Sequence, residues 1–418
     1  MALIRNQVPV KIWDTSEEKE MITGSKELIR DINSTLVLET IINQGPISRA
    51  NISKVLGLTK ATISAIVADL INRNLVEEIG CDNTEFGRKP ILLSFQRKAG
   101  YMVSVDLGVD TISVMLTDLQ GENCRLRQMR TPQTKDSILE ALVRVIDSIK
   151  PDKDTTPYGM VGISLGIHGV VHDNRISFAP YYNLQDYDLA GKLNDYFHTP
   201  VYLENEANLS VLGEKTFMHN YLNIANISIH SGIGLGILIN NELYTGYNGK
   251  AGEFGHTIIE IDGRECPCGN HGCLEQYVSE RALLKDFAAK KGLDSVNFDT
   301  FLNYYKQDDT DAIAIVDLFV KLMGICSNNI LNAYNPEIII INSSFTSFIP
   351  DLTERIEECL CSRMNSFISI EASTLQDSSI LLGGICVIIK NFLGIKDLNL
   401  SNKKDSDLSE NGIYMVSL

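Results

Sequence analysis

The sequence predicts an α/β protein that begins with a small domain of three helices and a β-hairpin. Between residues 31 and 95, apolar residues recur first at helical spacing and then in two short runs of strand length. After Tyr101, apolar runs of strand length alternate with longer helical segments, which is typical of mostly parallel sheets covered by helices. A length of 418 residues fits two or three domains.

The composition is that of a globular protein in a reducing compartment. Apolar residues make up 44% and charged residues 22% of the chain. No run of about 18 uncharged apolar residues predicts a membrane helix, and Met1–Val10 lacks the pattern of a secretory signal. The chain has nine cysteines, and three of them cluster in a way that favours metal binding over disulfides. We therefore expect a cytoplasmic protein.

The net charge of −16 argues at first against a nucleic-acid partner. Residues 1–95, however, hold 11 Lys+Arg and 12 Asp+Glu, so the acidic excess lies almost wholly in the rest of the chain. Charge acts over only about 8–10 Å at physiological ionic strength. The N-terminal part can therefore present a local surface that binds DNA.

The first domain, residues 31–95, follows a polar arm over residues 1–30. Its first predicted helix starts near Ser34 and ends before the helix-breaking pair Gly45-Pro46. Two further helices and a hairpin complete it. This arrangement predicts a winged helix–turn–helix, a fold that places its recognition helix in the major groove of DNA.

Capping residues and a turn glycine define the second and third helices. Ser48 is predicted to cap a helix that ends at Leu56, and Gly57 supplies the turn. Thr59 is predicted to cap a third helix that reaches about Asn74. The hairpin strands are expected over Leu75–Ile79 and Pro90–Phe95, with a polar loop between them.

Basic and hydroxyl side chains of this domain are the candidates for DNA contact, because such groups bind phosphates and base edges. The candidates are Arg49, Thr59, Lys60, Thr62 and Ser64, with Arg88 and Lys89 at the tip of the wing. The alternative is a small helical interaction domain whose hydroxyls are ordinary solvated groups.

The rest of the chain, up to Leu398, reads as alternating strands and helices. Strands are predicted over Met102–Leu107, Ser113–Thr117, Gly159–Leu165, Val201–Leu203, Asn226–His230, Gly236–Ile239 and Glu337–Ile341. Helices are predicted over Asp136–Ile149, Glu206–Phe217 and Asp311–Ala333. A polar tail over residues 399–418 is expected to be a loose terminus.

One imidazole and three thiols lie within 18 residues. His256, Cys266, Cys268 and Cys273 form a Cys3His set, which is typical of a closed structural zinc site. His271 is a competing fourth ligand. The alternative is a group of reduced surface thiols without a metal.

The sequence Gly252–His256, followed by Cys266–Glu275, resembles the ROK family (repressors, open reading frames and sugar kinases). Together with the N-terminal domain, it is similar to the repressor branch of that family. The resemblance implies an actin-like (ribonuclease H-like) fold over residues 96–398, in which two α/β lobes flank a sugar-binding cleft.

Residues that match the family's sugar contacts follow from the same resemblance. Carboxylates and amides suit this role because sugar hydroxyls both donate and accept hydrogen bonds. The matching positions are Asn183, Asn205, Glu206, Glu253, His256 and Glu275. Tyr181-Tyr182 are extra residues beside Asn183, and His256 is expected to serve both the metal and the sugar.

Kinases of the family carry an Asp-x-Gly-Gly-Thr phosphate loop. Here Asp106–Asp110 has a valine for the second glycine and an aspartate for the threonine, which blocks the backbone and repels phosphate. The second loop, Gly-Thr-Gly-x-Gly in kinases, is only partly kept in His230–Gly234. Asn342-Ser343-Ser344 replaces glycines on the nucleotide side, and Glu206 replaces the catalytic aspartate. We therefore expect no kinase activity.

These inferences converge on a repressor of carbohydrate-utilisation genes, a homodimer or a dimer of dimers, that a sugar, xylose or a similar one, releases from operator DNA. An ATP-dependent sugar kinase with a DNA-binding head is the enzyme alternative, which an ADP-release assay tests. A constitutive DNA-bound scaffold with an empty cleft is the third, and it predicts no thermal shift with any sugar.

Overall fold

The computed structural model describes residues 26–81, 90–151, 155–401 and 414–415. The helices are α1 Lys26–Gln44, α2 Arg49–Leu56, α3 Lys60–Asn72, α4 Lys135–Ile149, α5 Leu189–Phe197, α6 Glu206–Phe217, α7 Glu275–Val278, α8 Glu280–Lys291, α9 Phe298–Tyr305, α10 Thr310–Tyr334, α11 Ser344–Phe348, α12 Leu352–Glu358 and α13 Ser378–Leu393. The strands are β1 Ile47–Ser48, β2 Val76–Cys81, β3 Ile91–Phe95, β4 Tyr101–Leu107, β5 Thr111–Asp118, β6 Arg125–Arg130, β7 Met160–Ile167, β8 Val170–His172, β9 Arg175–Phe178, β10 Val201–Asn205, β11 Ile224–Ile229, β12 Ile233–Ile239, β13 Glu242–Leu243, β14 Ile338–Ser343, β15 Ser369–Ala372 and β16 Tyr414–Met415.

Within those ranges, no single helix is long and apolar enough to cross a membrane. The bent pair α2 and α3 passes that test of length and composition only when both helices are taken together.

The N-terminal domain packs α1, α2 and α3 against a three-stranded antiparallel sheet in the order β1-β3-β2. Both predicted caps are confirmed, since Ser48 and Thr59 accept hydrogen bonds from the backbone of Asn51 and Thr62. Gly57 has the left-handed backbone, with φ of 68°, that the turn requires. Helix α1 begins earlier than predicted. The prediction missed its first turns because the apolar residues there are exposed and do not form a buried helical face. Strand β1 was not predicted.

The first lobe contains a six-stranded sheet in the order β10-β7-β4-β5-β6-β16. Strands β10, β7 and β4 run parallel, while β4, β5 and β6 form an antiparallel meander. The prediction of a mostly parallel sheet is therefore wrong for that half, because the turn between β4 and β5 is too short for a crossover. The tail also departs from prediction, since β16 pairs with β6.

The second lobe contains a five-stranded sheet in the order β13-β12-β11-β14-β15. Strands β11, β14 and β15 are parallel, and β12 returns antiparallel to β11. Helices α8, α9, α10 and α12 supply a separate apolar core on this sheet. The fully buried phenylalanines Phe287, Phe301, Phe319 and Phe345 lie in that core.

Helices α6 and α13 pack against each other between the two sheets. Every residue of α6 is buried, and α6 contacts strands of both lobes. The two helices approach so closely that a Cβ on Gly383 would lie 1.8 Å from the Leu209 carbonyl oxygen. A Cβ on Gly213 would similarly meet the Ser379 carbonyl oxygen at 2.2 Å. Glycine is therefore required at this crossing.

We expect Gly383→Ala to lower the unfolding free energy by about 1–3 kcal/mol or more, because the added methyl meets backbone rather than a movable side chain. Chemical denaturation of both proteins measures this loss. Gly292→Ala is the comparison for backbone strain alone, since its left-handed φ of 65° should cost about 1–2 kcal/mol while nothing lies within 4 Å of its Cβ. Equal losses for the two variants would mean that the helix crossing tolerates a wider spacing.

Candidate functional site

Acidic and imidazole side chains gather where four strands end. Asp106 lies near the end of β4, His168 follows β7, Glu206 follows β10 and His230 follows β11. Strands β4, β7 and β10 are parallel, so their carboxyl ends share one edge of the first sheet. Such an edge is where ligands bind in open α/β sheets.

Glu206 is a buried carboxylate of this cleft, with an exposed fraction of 9%, the same as that of Glu275. Burial raises its pKa, and the charges of His168 and His230 act in the opposite direction. Its Oε2 has no hydrogen-bond partner of ordinary geometry among the described residues. The side chain is therefore an available acceptor or donor for a bound ligand.

Asp106 and His168 form an ion pair at the base of the cleft, with 2.9 Å between Oδ1 and Nε2. The Tyr182 hydroxyl accepts a hydrogen bond from the His168 backbone and donates one to the Leu107 carbonyl. Burial disfavours the imidazolium, but the charges of Asp106 and Glu206 outweigh burial and raise the pKa of His168 to about 9. Sequence reasoning missed His168, because a single histidine after a strand carries no recognisable signal.

Glu275, at the start of α7, faces the loop between β11 and β12. Its Oε2 accepts a hydrogen bond from the Ile233 backbone at 3.2 Å. A Cβ on Gly232 would lie 2.9 Å from that oxygen and 3.5 Å from the Tyr181 hydroxyl. The absence of a side chain at Gly232 therefore leaves room for a carboxylate and a phenol to face the same space. Tyr181 is a further cleft residue that the sequence did not single out.

Gly234, the second glycine of this loop, lies close to the carboxylate of Glu206. A Cβ there would lie 2.9 Å from Glu206 Oε1. The loop over residues 230–234 thus faces two carboxylates, which disfavour an anion there.

Glu253 and His256 lie on one short 3₁₀ turn and bring a third carboxylate to the cleft. His256 Nε2 lies 3.8 Å from Glu253 Oε2. Removal of water raises the pKa of Glu253, His256 lowers it, and Glu206 and Glu275 raise it further. The cleft therefore holds three mutually repelling acids, which suits hydroxyl donors better than phosphates.

The structure brings His256, Cys266, Cys268 and Cys273 together, with one ligand atom from each within 4.8 Å of the others. The Cys268 and Cys273 sulfurs are 3.7 Å apart, and Cys266 Sγ is 3.5 Å from His256 Nδ1. Two thiolates on a tetrahedral ion with bonds of about 2.3 Å would stand about 3.8 Å apart. The four side chains therefore form a possible metal site.

The metal cluster and the cleft share residues. His256 turns Nδ1 to the cysteines and Nε2 to Glu253. Gln276 donates one hydrogen bond to Cys266 Sγ and one to Glu275 Oε1. The cluster therefore contacts two of the cleft's acids, Glu253 through His256 and Glu275 through Gln276. His271, the competing ligand predicted from sequence, is outside the group of four.

Of the positions that the resemblance assigns to the nucleotide side, Asn342 and Ser343 make internal side-chain contacts, whereas Asp110 is exposed. Asp110 lies in the turn after β4. Asn342 is buried and donates hydrogen bonds to the Gln376 carbonyl and the Ser379 hydroxyl. Ser343 caps α11 through the Phe345 backbone.

The N-terminal domain presents α3 at its surface. Thr59, Lys60 and Ser64 are exposed there, and Thr62 is half-buried and within 2.9 Å of the Thr59 hydroxyl. Arg49 is paired with Glu78 at 2.7 Å. Arg88 and Lys89 lie outside the described residues.

Comparison with known proteins identifies the family. The ROK family profile matches residues 102–390. The chain is 36% identical over 388 residues to the xylose repressor of Bacillus spizizenii, which covers 90% of this chain and 99% of that protein. The chain belongs to the ROK family. This confirms the fold class predicted from the cysteine-glycine motif.

Two solved ROK structures share the fold. One is a ROK family transcriptional regulator described as a homologue of the Escherichia coli Mlc protein, with a TM-score of 0.74 and 24% identity. It covers 87% of this chain and 97% of its own. The other is a ROK glucokinase from Streptomyces griseus with glucose and AMPPNP, with a TM-score of 0.62, 24% identity, and coverage of 69% and 99%.

Two of the predicted sugar contacts, Asn205 and Asn183, differ from the carboxylates in their surroundings. Asn205 caps α6 by accepting from Ala207 and Asn208, and it donates one hydrogen bond to the Gly169 carbonyl. One amide hydrogen remains for a ligand. Asn183 is exposed, whereas its neighbours Tyr182 and Leu184 are buried.

Proposed function

We propose that this ROK chain is a DNA-binding transcriptional repressor of carbohydrate-utilisation genes that a neutral sugar releases from its operator. The carrying observation is the set of unpaired or weakly paired acids around a glycine loop, in a chain similar to a xylose repressor over 90% of its length. Repression requires a DNA-binding surface, for which α3 is the candidate. Induction requires a ligand site, for which the cleft is the candidate.

The cleft recognises sugar hydroxyls through Glu206, Glu253 and Glu275, with Asn205 and His256 as further partners. Carboxylates accept two hydroxyl donors each, which suits a ring with several adjacent hydroxyls. Asn183 completes the contacts when the cleft closes. Xylose is the effector that the name of the similar repressor suggests.

Zinc is the ion that the Cys3His group would hold, because soft thiolates with one imidazole favour it. When bound, zinc supplies structural cross-linking and no chemistry. His256, whose Nδ1 lies 3.5 Å from Cys266 Sγ, would then be held with its Nε2 beside Glu253.

The DNA-binding surface is α3 with the flanking residues predicted from sequence. Thr59, Lys60, Thr62 and Ser64 meet the major groove, and Arg88 and Lys89 meet the backbone beside it. Arg49 reaches phosphate only after leaving Glu78. A homodimer presents two such surfaces to a pseudo-palindromic operator.

Sugar phosphorylation is the second candidate, because the glucokinase from Streptomyces griseus shares the fold. The internal use of Asp106 by His168 and of Asn342 by α13 favours the repressor instead. An ADP-release assay with hexoses and pentoses decides, and turnover above roughly 1 s⁻¹ would be ordinary enzyme behaviour.

We expect Glu206→Ala to weaken sugar binding by about 10- to 100-fold, because a hydrogen bond to a charged group contributes about 1.5–3 kcal/mol. The measurement is fluorescence anisotropy on an operator enriched from random DNA, titrated with D-xylose, D-glucose and N-acetylglucosamine in turn. Lys60→Ala should weaken operator binding with or without sugar and reduce the salt slope by about 1.

Matched controls are Glu242→Ala and Lys285→Ala, both at exposed positions away from the cleft and from α3. These should behave as the wild type. An operator affinity that none of the sugars changes would contradict the proposal.

A further inference from the structure

A short segment after α13 joins three parts of the molecule. Residues 395–400 lie between α1, the end of α6 and the second lobe, and their apolar members Ile395, Leu398 and Leu400 are buried. We propose that the contact of Lys215 with Asp397 in this junction transmits sugar binding in the cleft to the N-terminal domain. The inference rests on the proposed function and names residues for its regulation.

Helix α6 runs directly from the cleft to the segment over residues 395–400. Its first residue, Glu206, is in the cleft, and Asn205 caps its N-terminus. Its last turn contains Lys215, whose side chain is 3% exposed. All 12 residues of α6 are buried, so a displacement of its first turn cannot be absorbed by free space around it.

The side chain of Lys215 reaches the segment over residues 395–400. Its Nζ donates to Asp397 Oδ1 at 2.7 Å and to the Leu398 carbonyl at 3.4 Å. Leu400 also donates its backbone N–H to the Thr216 carbonyl. A buried ammonium without a partner is costly, so Lys215 holds Asp397 to the end of α6.

Asp397 is bonded to the second lobe as well. The same Oδ1 accepts from Asn241 Nδ2 at 3.1 Å, and Asn241 lies in the turn between β12 and β13. Strand β12 begins at Ile233, beside the carboxylates of the cleft. A change in the angle between the lobes therefore acts on Asp397 from two sides.

The backbone of this segment holds α1 of the N-terminal domain. Glu39 Oε2 accepts from the N–H groups of Lys396 and Asp397 at 3.0 and 3.1 Å. Asn43 donates to the Asp397 carbonyl and accepts from the Asn399 N–H, both at 3.0 Å. The α1 helix packs on α3, so a shift of residues 396–399 reorients the surface that meets DNA.

The test compares the full chain with Lys215→Met and Glu39→Ala, which break the junction from opposite sides. Operator affinity is measured with and without D-xylose, D-glucose or N-acetylglucosamine, and sugar affinity is measured separately by calorimetry. Lys291→Met is the control, because Lys291 is also ion-paired, with Asp309 and Asp311, but lies on α8. Thermal unfolding checks that each variant folds.

Both variants should bind sugar and operator, while the sugar-dependent change in operator affinity, typically ~5- to 150-fold in allosteric proteins, falls to nearly none. The control should keep the wild-type ratio. A wild-type ratio in either folded variant overturns the proposal, and so does loss of sugar or operator binding itself. Glu39→Ala decides alone if Lys215→Met does not fold. A wild type that no sugar affects overturns the proposed function instead, and the junction's role with it.

Discussion

Replacement of Cys273 by serine is expected to remove one equivalent of zinc per chain and to cause the largest loss of stability among single cysteine variants. Cys273 is fully buried, and its sulfur lies among the other ligands. Apparent zinc binding free energies of about 10–16 kcal/mol in small domains set the scale of what the ion can contribute to folding. Elemental analysis and thermal unfolding measure the two effects.

Cys361→Ser is the control, because Cys361 is exposed and outside the metal group. It should keep both the metal and the unfolding temperature. Because His256 Nε2 lies 3.8 Å from Glu253 in the proposed sugar site, the Cys273 variant should also lose sugar affinity. A wild-type protein purified without any bound metal, and insensitive to chelators, would contradict the zinc assignment.

Replacement of His168 by glutamine is expected to abolish a pH dependence of stability. The folded pKa of His168, about 9, lies above its ordinary value of 6.5. The ion pair with Asp106 therefore stabilises the fold fully below about pH 6.5, and this stabilisation is lost as the pH rises through about 9. The difference corresponds to at most about 3.5 kcal/mol in the free energy of unfolding. Denaturant titrations across this range measure it.

The groups that interact with His168 are Asp106, Glu206 and the Tyr182 hydroxyl, and His230 interacts in turn with Glu206. His172→Gln is the matched control, because His172 is exposed and only loosely paired with Asp173. It should keep the wild-type pH profile. If His168→Gln keeps the same decline in unfolding free energy between pH 6.5 and 9 as the wild type, the pair does not carry the charge we assign to it.

Local signals in the sequence predicted much of this architecture. Ser48 and Thr59 cap their helices as predicted, and α6 spans Glu206–Phe217 as its apolar pattern indicates. Each of these features depends on residues a few positions apart. The metal group was also predictable, because all four ligands lie between residues 256 and 273.

Features that depend on distant pairs were not predictable. His168 meets Asp106 across 62 positions, and Lys215 meets Asp397 across 182. Arg49 has a basic side chain suited to phosphate, yet the fold pairs it with Glu78. The antiparallel strands of the two sheets were not predicted either, because the pattern of apolar residues along a strand does not indicate the direction in which the strand runs.

The sequence by itself determined the order of the elements, the cluster of metal ligands, the family and the candidate acids of the cleft. Caps, periodicity and closely spaced ligands act locally and are therefore written in short motifs. Only the tertiary structure decided that Glu206 is buried, that His168 pairs with Asp106 near it, and that residues 395–400 pack between the end of α6 and α1. Burial and long-range electrostatics arise only when remote segments pack together, and no spacing along the chain encodes them.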